Sequence, residues 1–371
     1  MRRRPGRRKE NLRGSISMRK VNDLHIKDIQ PLIAPRVLKD KYPLTETLAD
    51  QVFEARERIK KIIRREDPRL LGIIGPCSIH DTKAAMEYAE RLIGLAEKVK
   101  DEIFIVMRVY FEKPRTTIGW RGLIVDPEMD GSNDIGRGLE IARSTLIKIG
   151  ELGLPTGSEM LDPYVPQYID DLVSWAAIGA RTTESQTHRN LASGLSMPVG
   201  FKNGTSGNLE LAINAMESAI HPASFIGIDQ DGNTCVFSTT GNDACHMILR
   251  GGRSGPNYHE EDIEDAEQLM REAGLTPSLV VDCSHGNSGK KSLRQSRVLR
   301  SVIDQVVYGE KVIAGFMLES NLFEGRQDIP EDLSQLKYGV SVTDECIGWE
   351  ETEKIVLQAF QSLAKRGNRP V

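Results

Sequence analysis

The chain is expected to fold as a (β/α)₈ barrel with an N-terminal extension and a β-hairpin inserted around strand six. Two observations predict this. Eight short apolar runs, LLGIIGPC, IFIVMRVY, LPTGSEM, AAIGARTTE, MPVGFKNG, HMILRGG, LVVDCSH and IAGFMLES, recur roughly every 25 to 45 residues, with helix-like stretches between most of them. Short continuous apolar runs suit strands buried on both faces, as in parallel sheets covered by helices. Each run also ends in a polar residue, giving the series Cys77, Arg108, Glu159, Arg181, Lys202, Arg250, His285 and Glu319. Barrel active sites lie at the C-terminal strand ends, so these side chains are expected to converge.

Taken in order, residues 1–17 are basic and almost free of apolar side chains, and are expected to be a disordered tail. Residues 1–20 hold nine Lys/Arg and one Glu, a net of +8; the whole chain is −4, so residues 21–371 carry −12. An acidic body argues against a nucleic-acid binder. The plain reading of the tail is an upstream extension, with Met18 as the working start. Residues 18–68 form the N-terminal extension, an oligomer or regulatory segment followed by a helix at 44–67. Thr45 can cap that helix, and Leu48, Val52, Ala55 and Ile59 fall near one face. The barrel proper spans 69–371.

After the first run, a helix starts at Asp81. Residues 113–134 are too polar and Gly-rich for regular structure, and long loops in compact domains are usually functional. IGRGLEIARSTLIKIGELG is a helix with Gly153 as C-cap. PQYIDDLVSWA and SGNLELAINAMESA continue the alternation. From about 223 to 250 the pattern becomes alternating around Asp231-Gly232, a hairpin signal. Two more helices follow, HEEDIEDAEQLMREAG and SLRQSRVLRSVIDQVVYG. A second long loop, 321–351, leads to the closing helix ETEKIVLQAFQSLAKR.

Five cysteines in no spaced framework fit a reducing cytoplasm. No apolar run approaches the ~20 residues that span a bilayer, so no membrane partner is expected.

Four residues suit a divalent metal: Cys77, His285 and Glu319 at the ends of strands one, seven and eight, and Asp344 beyond strand eight. A thiolate, an imidazole and two carboxylates favour Mn, Fe, Co or Zn over Mg or Ca. Arg108, Arg181, Lys202 and Arg250 form a cationic group, and such a group is tolerable around dianionic ligands. Lys113, Arg115 and Thr116 in EKPRTT offer a second phosphate site. Glu159 among these cations is expected to stay ionised and to place a water or relay a proton. His188 has equal claims to a structural or a catalytic role. FKNGTSGN lacks the spacing of a P-loop.

The motifs GPCSIHD, MRVYFEKPRTTIGW, GARTTESQTHR, PVGFKNGT, HMILRGG, VDCSHGNS and ESNLFEG resemble those of the microbial class I 3-deoxy-D-arabino-heptulosonate-7-phosphate (DAHP) synthases, from about residue 20 to 365. The resemblance implies condensation of phosphoenolpyruvate with erythrose 4-phosphate to DAHP and phosphate, the first step of the shikimate pathway. It implies one divalent metal per subunit on Cys77, His285, Glu319 and Asp344, acting as a Lewis acid on the aldehyde. Arg108, Arg181, Lys202 and Arg250 would hold phosphoenolpyruvate; Lys113, Arg115 and Thr116 would hold erythrose 4-phosphate. Lys113, Glu159 and His285 are the catalytic candidates. The family is regulated by aromatic amino acids and works as homo-oligomers, dimers or tetramers. Matching regulatory positions are Asn22, Asp23, Pro166, Gln167, Leu191, Leu195, Ser196, Phe225 and Gly227. Phenylalanine-regulated relatives carry Ser at the Gly227 position, and Gly is expected to leave room for the tyrosine hydroxyl. The rival readings are a 3-deoxy-octulosonate-8-phosphate synthase-like enzyme and, through the basic tail, a nucleic-acid-binding protein.

Overall fold

The computed structural model describes residues 19–365; the basic tail of the sequence reading lies outside them. Of the described residues, 19–32 belong to one unit and 33–365 to a second. In the first, Asn22 donates to Asp23, and Asp23 takes a left-handed turn at φ 53°.

The second unit runs α1 (Pro35–Lys41), α2 (Glu46–Ile63), β1 (Leu70–Gly75), α3 (Thr82–Val99), β2 (Ile103–Arg108), α4 (Ile135–Glu151), β3 (Thr156–Glu159), α5 (Pro166–Ile169), β4 (Trp175–Ile178), α6 (Gln186–Gly194), β5 (Val199–Lys202), α7 (Glu210–Ile220), β6 (Ser224–Ile228), β7 (Thr234–Ser238), β8 (Cys245–Leu249), α8 (Glu260–Glu272), β9 (Leu279–Asp282), α9 (Gln295–Tyr308), β10 (Ile313–Glu319) and α10 (Trp349–Ala364). Eight parallel strands close a barrel in the order β1-β10-β9-β8-β5-β4-β3-β2. The fold is therefore a (β/α)₈ barrel, and β6 and β7 form the separate antiparallel hairpin.

Local chemistry sets the boundaries. The Thr45 and Asp81 side chains accept from backbone N–H groups in the first turns of α2 and α3. Asp134 caps α4 in the same way, and Gly153 follows that helix at φ +83°. The barrel interior is filled by Leu71, Ile73, Val106, Trp175, Ile248, Val280 and Met317. Ile59, Ile62 and Ile63 of α2 belong to the same cluster. Arg56 of α2 donates to the carbonyls of Asp170 and Val173 just before β4, and Arg65 donates to Pro277 O just before β9. Thus α2 plugs the N-terminal end of the barrel. The opposite end is left for the site.

Several local expectations need correction. PQYIDDLVSWA is helical only over α5, followed by a 3₁₀ turn and then β4, because Val173 to Trp175 already enter the sheet. The expected hairpin does form around Asp231-Gly232; its connection is a five-residue loop, in which the Asp229 side chain accepts from Asp231 N and Asn233 N, and Gly232 takes φ +81°. α1 and α6 had no counterpart in the expected helices. α1 ties to the hairpin through Arg36, which donates its backbone N–H to Gln230 O and pairs with Asp231 at 2.7 Å.

Candidate active site

Strand ends bring the expected residues together. A cavity of about 770 Å³ at the C-terminal face is lined by Lys113, Arg115, Glu159, Arg181, Lys202, Arg250, His285, Glu319 and Asp344, among others. Cys77 and Arg108 lie beneath them, fully buried. Thr116 lines an adjoining cavity, and its hydroxyl accepts from Arg181 Nε at 3.2 Å.

The ligand atoms of Cys77, Glu319 and Asp344 lie within 4.8 Å of one another. Cys77 Sγ donates to Asp344 at 3.5 Å and receives a hydrogen bond from Lys113 Nζ at 3.0 Å. His285 is adjacent but outside that tight trio, with Nε2 3.8 Å from Glu319 Oε1. Its φ of 51° is the left-handed conformation, which a tight chain reversal after β9 imposes. Its Nδ1 faces Asp282 at 3.0 Å and Ser284 Oγ at 2.6 Å, leaving Nε2 to point at Glu319. A histidine whose Nδ1 side is held by a carboxylate is the usual arrangement of a metal ligand.

The electrostatics fit a cation here. Burial, with help from Glu319, pushes the Cys77 thiol up to about 12. Burial also disfavours the charged Asp344, but Lys113 and His285 outweigh it and hold the carboxyl at about 2. Two carboxylates, a thiol and an imidazole crowd one buried spot. Such a donor set suits a borderline or soft divalent metal that displaces the thiol proton.

The cations are fixed by the same acids. Arg108 donates from Nη2 to Glu319 Oε1 at 3.0 Å and lies 4.0 Å from the Tyr110 ring centroid. Lys202 pairs with Asp282 at 2.8 Å, both buried. Arg181 and Arg250 have no carboxylate partner among the described residues. Burial disfavours the charged Arg250, and Arg181 adds repulsion. Guanidinium groups without a carboxylate partner suit a dianionic ligand.

Glu159 is buried, and its Oε1 has no hydrogen-bond partner among the described residues. It lies over Gly179, where a β-carbon would stand 2.2 Å from Oε1, so a larger residue at 179 would displace the Glu159 carboxylate. His188 is structural: Nδ1 meets Ser185 Oγ and Nε2 meets Leu161 O. The residue that sequence reading missed is Asp282. It ends β9 one strand period before Ser284, and a buried acid at a barrel strand end was the available signal.

The regulatory candidates from Pro166 on fall on α5, on and just after α6, and on β6, with α6 packed against β6. Gln167 accepts from Gln230 Nε2 at 2.8 Å, tying α5 to the hairpin loop. At Gly227 an added β-carbon would stand 2.5 Å from the Phe237 ring. The room expected over Gly227 is therefore filled by Phe237, whose ring also meets Phe225 with centroids 5.5 Å apart.

Residues 45–357 match the DAHP synthetase I family. The chain belongs to that family. It is 54% identical, over 92% of its length and 96% of the other's, to the Tyr-sensitive phospho-2-dehydro-3-deoxyheptonate aldolase of Escherichia coli K12. It is 51% identical to the Phe-sensitive enzyme of the same organism, over 93% and 99% of the two chains. A solved phospho-2-dehydro-3-deoxyheptonate aldolase from Francisella tularensis SCHU S4 superposes with a TM-score of 0.90 at 45% identity, covering 92% of this chain and all of that one. The chain is thus an enzyme of the DAHP synthase type. No helix among the described residues is long and apolar enough to cross a membrane.

Proposed function

We propose that the enzyme condenses phosphoenolpyruvate with D-erythrose 4-phosphate and water to give DAHP and inorganic phosphate, with one divalent metal, Mn, Fe, Co or Zn, held by Cys77, His285, Glu319 and Asp344. The observation that carries this is the meeting, in one cavity, of a thiol-carboxylate trio with two guanidinium groups that have no carboxylate partner. Arg181 and Arg250, with Lys202 and Arg108, bind the carboxylate and phosphate of phosphoenolpyruvate. Lys113, Arg115 and Thr116 bind the aldose phosphate. When bound, the metal supplies Lewis-acid polarisation of the aldehyde. Phosphoenolpyruvate C3 forms the new bond to the aldehyde carbon, water adds at C2, and phosphate leaves from C2. The free Glu159 Oε1 accepts from that water and orients it. Lys113, hydrogen-bonded to Cys77, is placed to donate toward the growing alkoxide. Holding two anions face to face supplies the proximity that a bimolecular carbon–carbon step requires.

Tyrosine is the inhibitor this reading favours, through α5, α6 and the hairpin, with Asn22 and Asp23 reaching from a second subunit of a homo-oligomer. The relatives support it, because the Tyr-sensitive enzyme shares more identity than the Phe-sensitive one. A free state for all five cysteines agrees with a cytoplasmic setting.

The test is a phosphate-release and DAHP assay with erythrose 4-phosphate or arabinose 5-phosphate, run on stripped and metal-restored enzyme. DAHP forms only with the four-carbon sugar and only with metal, and Cys77→Ala takes up no metal by elemental analysis. Full activity after exhaustive chelation, or preference for the five-carbon sugar, overturns the reading.

A further inference from the structure

Beside the substrate cavity lies a larger one, of about 1090 Å³. It shares Arg181, Arg250, His285 and Lys290 with the substrate cavity and extends outward to Arg253, Arg294 and Arg297. Six Arg and Lys side chains line it, and no Asp or Glu does. None of the six forms a salt bridge among the described residues, although residues 21–371 carry a net −12 overall. Elsewhere on this surface Arg36, Arg64, Arg91, Arg137, Arg271 and Arg326 each meet a carboxylate. A wall of unpaired cations on an acidic protein concentrates positive potential and calls for an anion.

The outer cations are placed by backbone rather than by each other. Arg253 sits in a turn closed by the Gly252–Gly255 bridge, and its N–H donates to Thr205 O. Arg294 precedes α9 and Arg297 belongs to its first turn, where no acid stands. A cation there is disfavoured by the helix dipole, so these two positions cost stability without a compensating contact in the chain. All three are exposed, and their exchange leaves the core untouched.

We propose that this cavity is a second anion subsite that takes a phosphoryl dianion next to the occupied substrate site. This rests on the functional reading above in one respect: phosphate released from C2 between Arg181 and Arg250 can step onto Arg253, Arg294 and Arg297 without leaving a cationic wall. The same chemistry also admits the phosphoryl end of another metabolite.

Calorimetric titration of the metal-loaded enzyme with inorganic phosphate tests it, at fixed ionic strength because exposed charges are screened. Phosphoenolpyruvate is kept saturating and the aldose is omitted, so no turnover occurs. Two phosphate sites are expected, the vacant aldose-phosphate site at Arg115 and Thr116 and the subsite, and R294E/R297E weakens only the second, at least tenfold, while KM for phosphoenolpyruvate and the melting temperature change little, KM by less than twofold. Glucose 6-phosphate separates the sources: binding as tight as inorganic phosphate assigns the subsite to phosphorylated metabolites, and exclusion assigns it to the released product. A single phosphate site in the phosphoenolpyruvate-saturated enzyme, or equal affinities in R294E/R297E and the wild type, overturns the proposal. Absence of DAHP formation with phosphate binding intact overturns only the functional reading.

Discussion

Asp282→Asn separates two duties of one carboxylate. Asp282 is fully buried and touches Lys202 Nζ at 2.8 Å and His285 Nδ1 at 3.0 Å. Burial opposes its ionisation, yet His285 and Lys202 hold it well below the usual carboxylate range. Asn keeps the size and removes the charge. Lys202 is itself buried and has no other carboxylate contact among the described residues, so its ammonium is left uncompensated. Breaking a buried pair from one side costs about 3–5 kcal/mol. The second duty is orientation of His285, and losing such a partner lowers metal affinity by about 10–100-fold. Urea unfolding of stripped protein reads the first effect, and competitive metal titration reads the second. The double variant D282N/K202M should recover most of the stability, because no charge is then stranded, but none of the metal affinity. If D282N unfolds within about 0.5 kcal/mol of wild type and binds metal within twofold, the carboxylate serves neither duty.

Two further outcomes follow from particular contacts. Gly227→Ser pushes its new side chain against Phe237, so it should change tyrosine inhibition by displacing that ring; Phe237→Val in the same chain should restore space and shift preference toward phenylalanine, and titration with both amino acids checks it. His246 accepts from Trp175 Nε1 inside the barrel, and burial holds its imidazole at about 4 rather than about 6.5. The unfolded chain takes up this proton below about 6.5 and the folded chain only near 4, so stability is complete above 6.5 and falls by about 3 kcal/mol as pH drops to 4. His246→Gln should flatten that limb relative to wild type, and parallel acid limbs in urea titrations would refute it.

The barrel was legible because parallel strands are buried on both faces, and their apolar runs are short enough to count. The site was legible for a related reason: a polar residue closing an apolar run has nowhere to point but the barrel mouth. Cys77, Glu319 and Asp344 are far apart in sequence, and strand closure alone brings β10 beside β1. What stayed hidden lacks a periodic signal. α1 has only two turns and α6 is polar, so neither shows an apolar stripe. The hairpin was legible from Asp231-Gly232, but its loop length was not, because Asp229 sets it by capturing the backbone two residues on and four residues on.

The outer cations show the limit most clearly. Arg294 and Arg297 sit three residues apart at the start of α9, a spacing that reads as an ordinary solvated helix face. Arg253 lies over 40 residues earlier, in a turn with no pattern of its own. Nothing local distinguishes them from Arg271, which pairs with Glu267 one turn away. The difference is an absence of partners, and that depends on which loops closure brings to the same wall. Charge in a sequence therefore marks a functional surface only once the fold shows which charges it leaves unpaired. For the candidate metal-binding residues the residue types themselves carried chemistry; for these arginines only the geometry does.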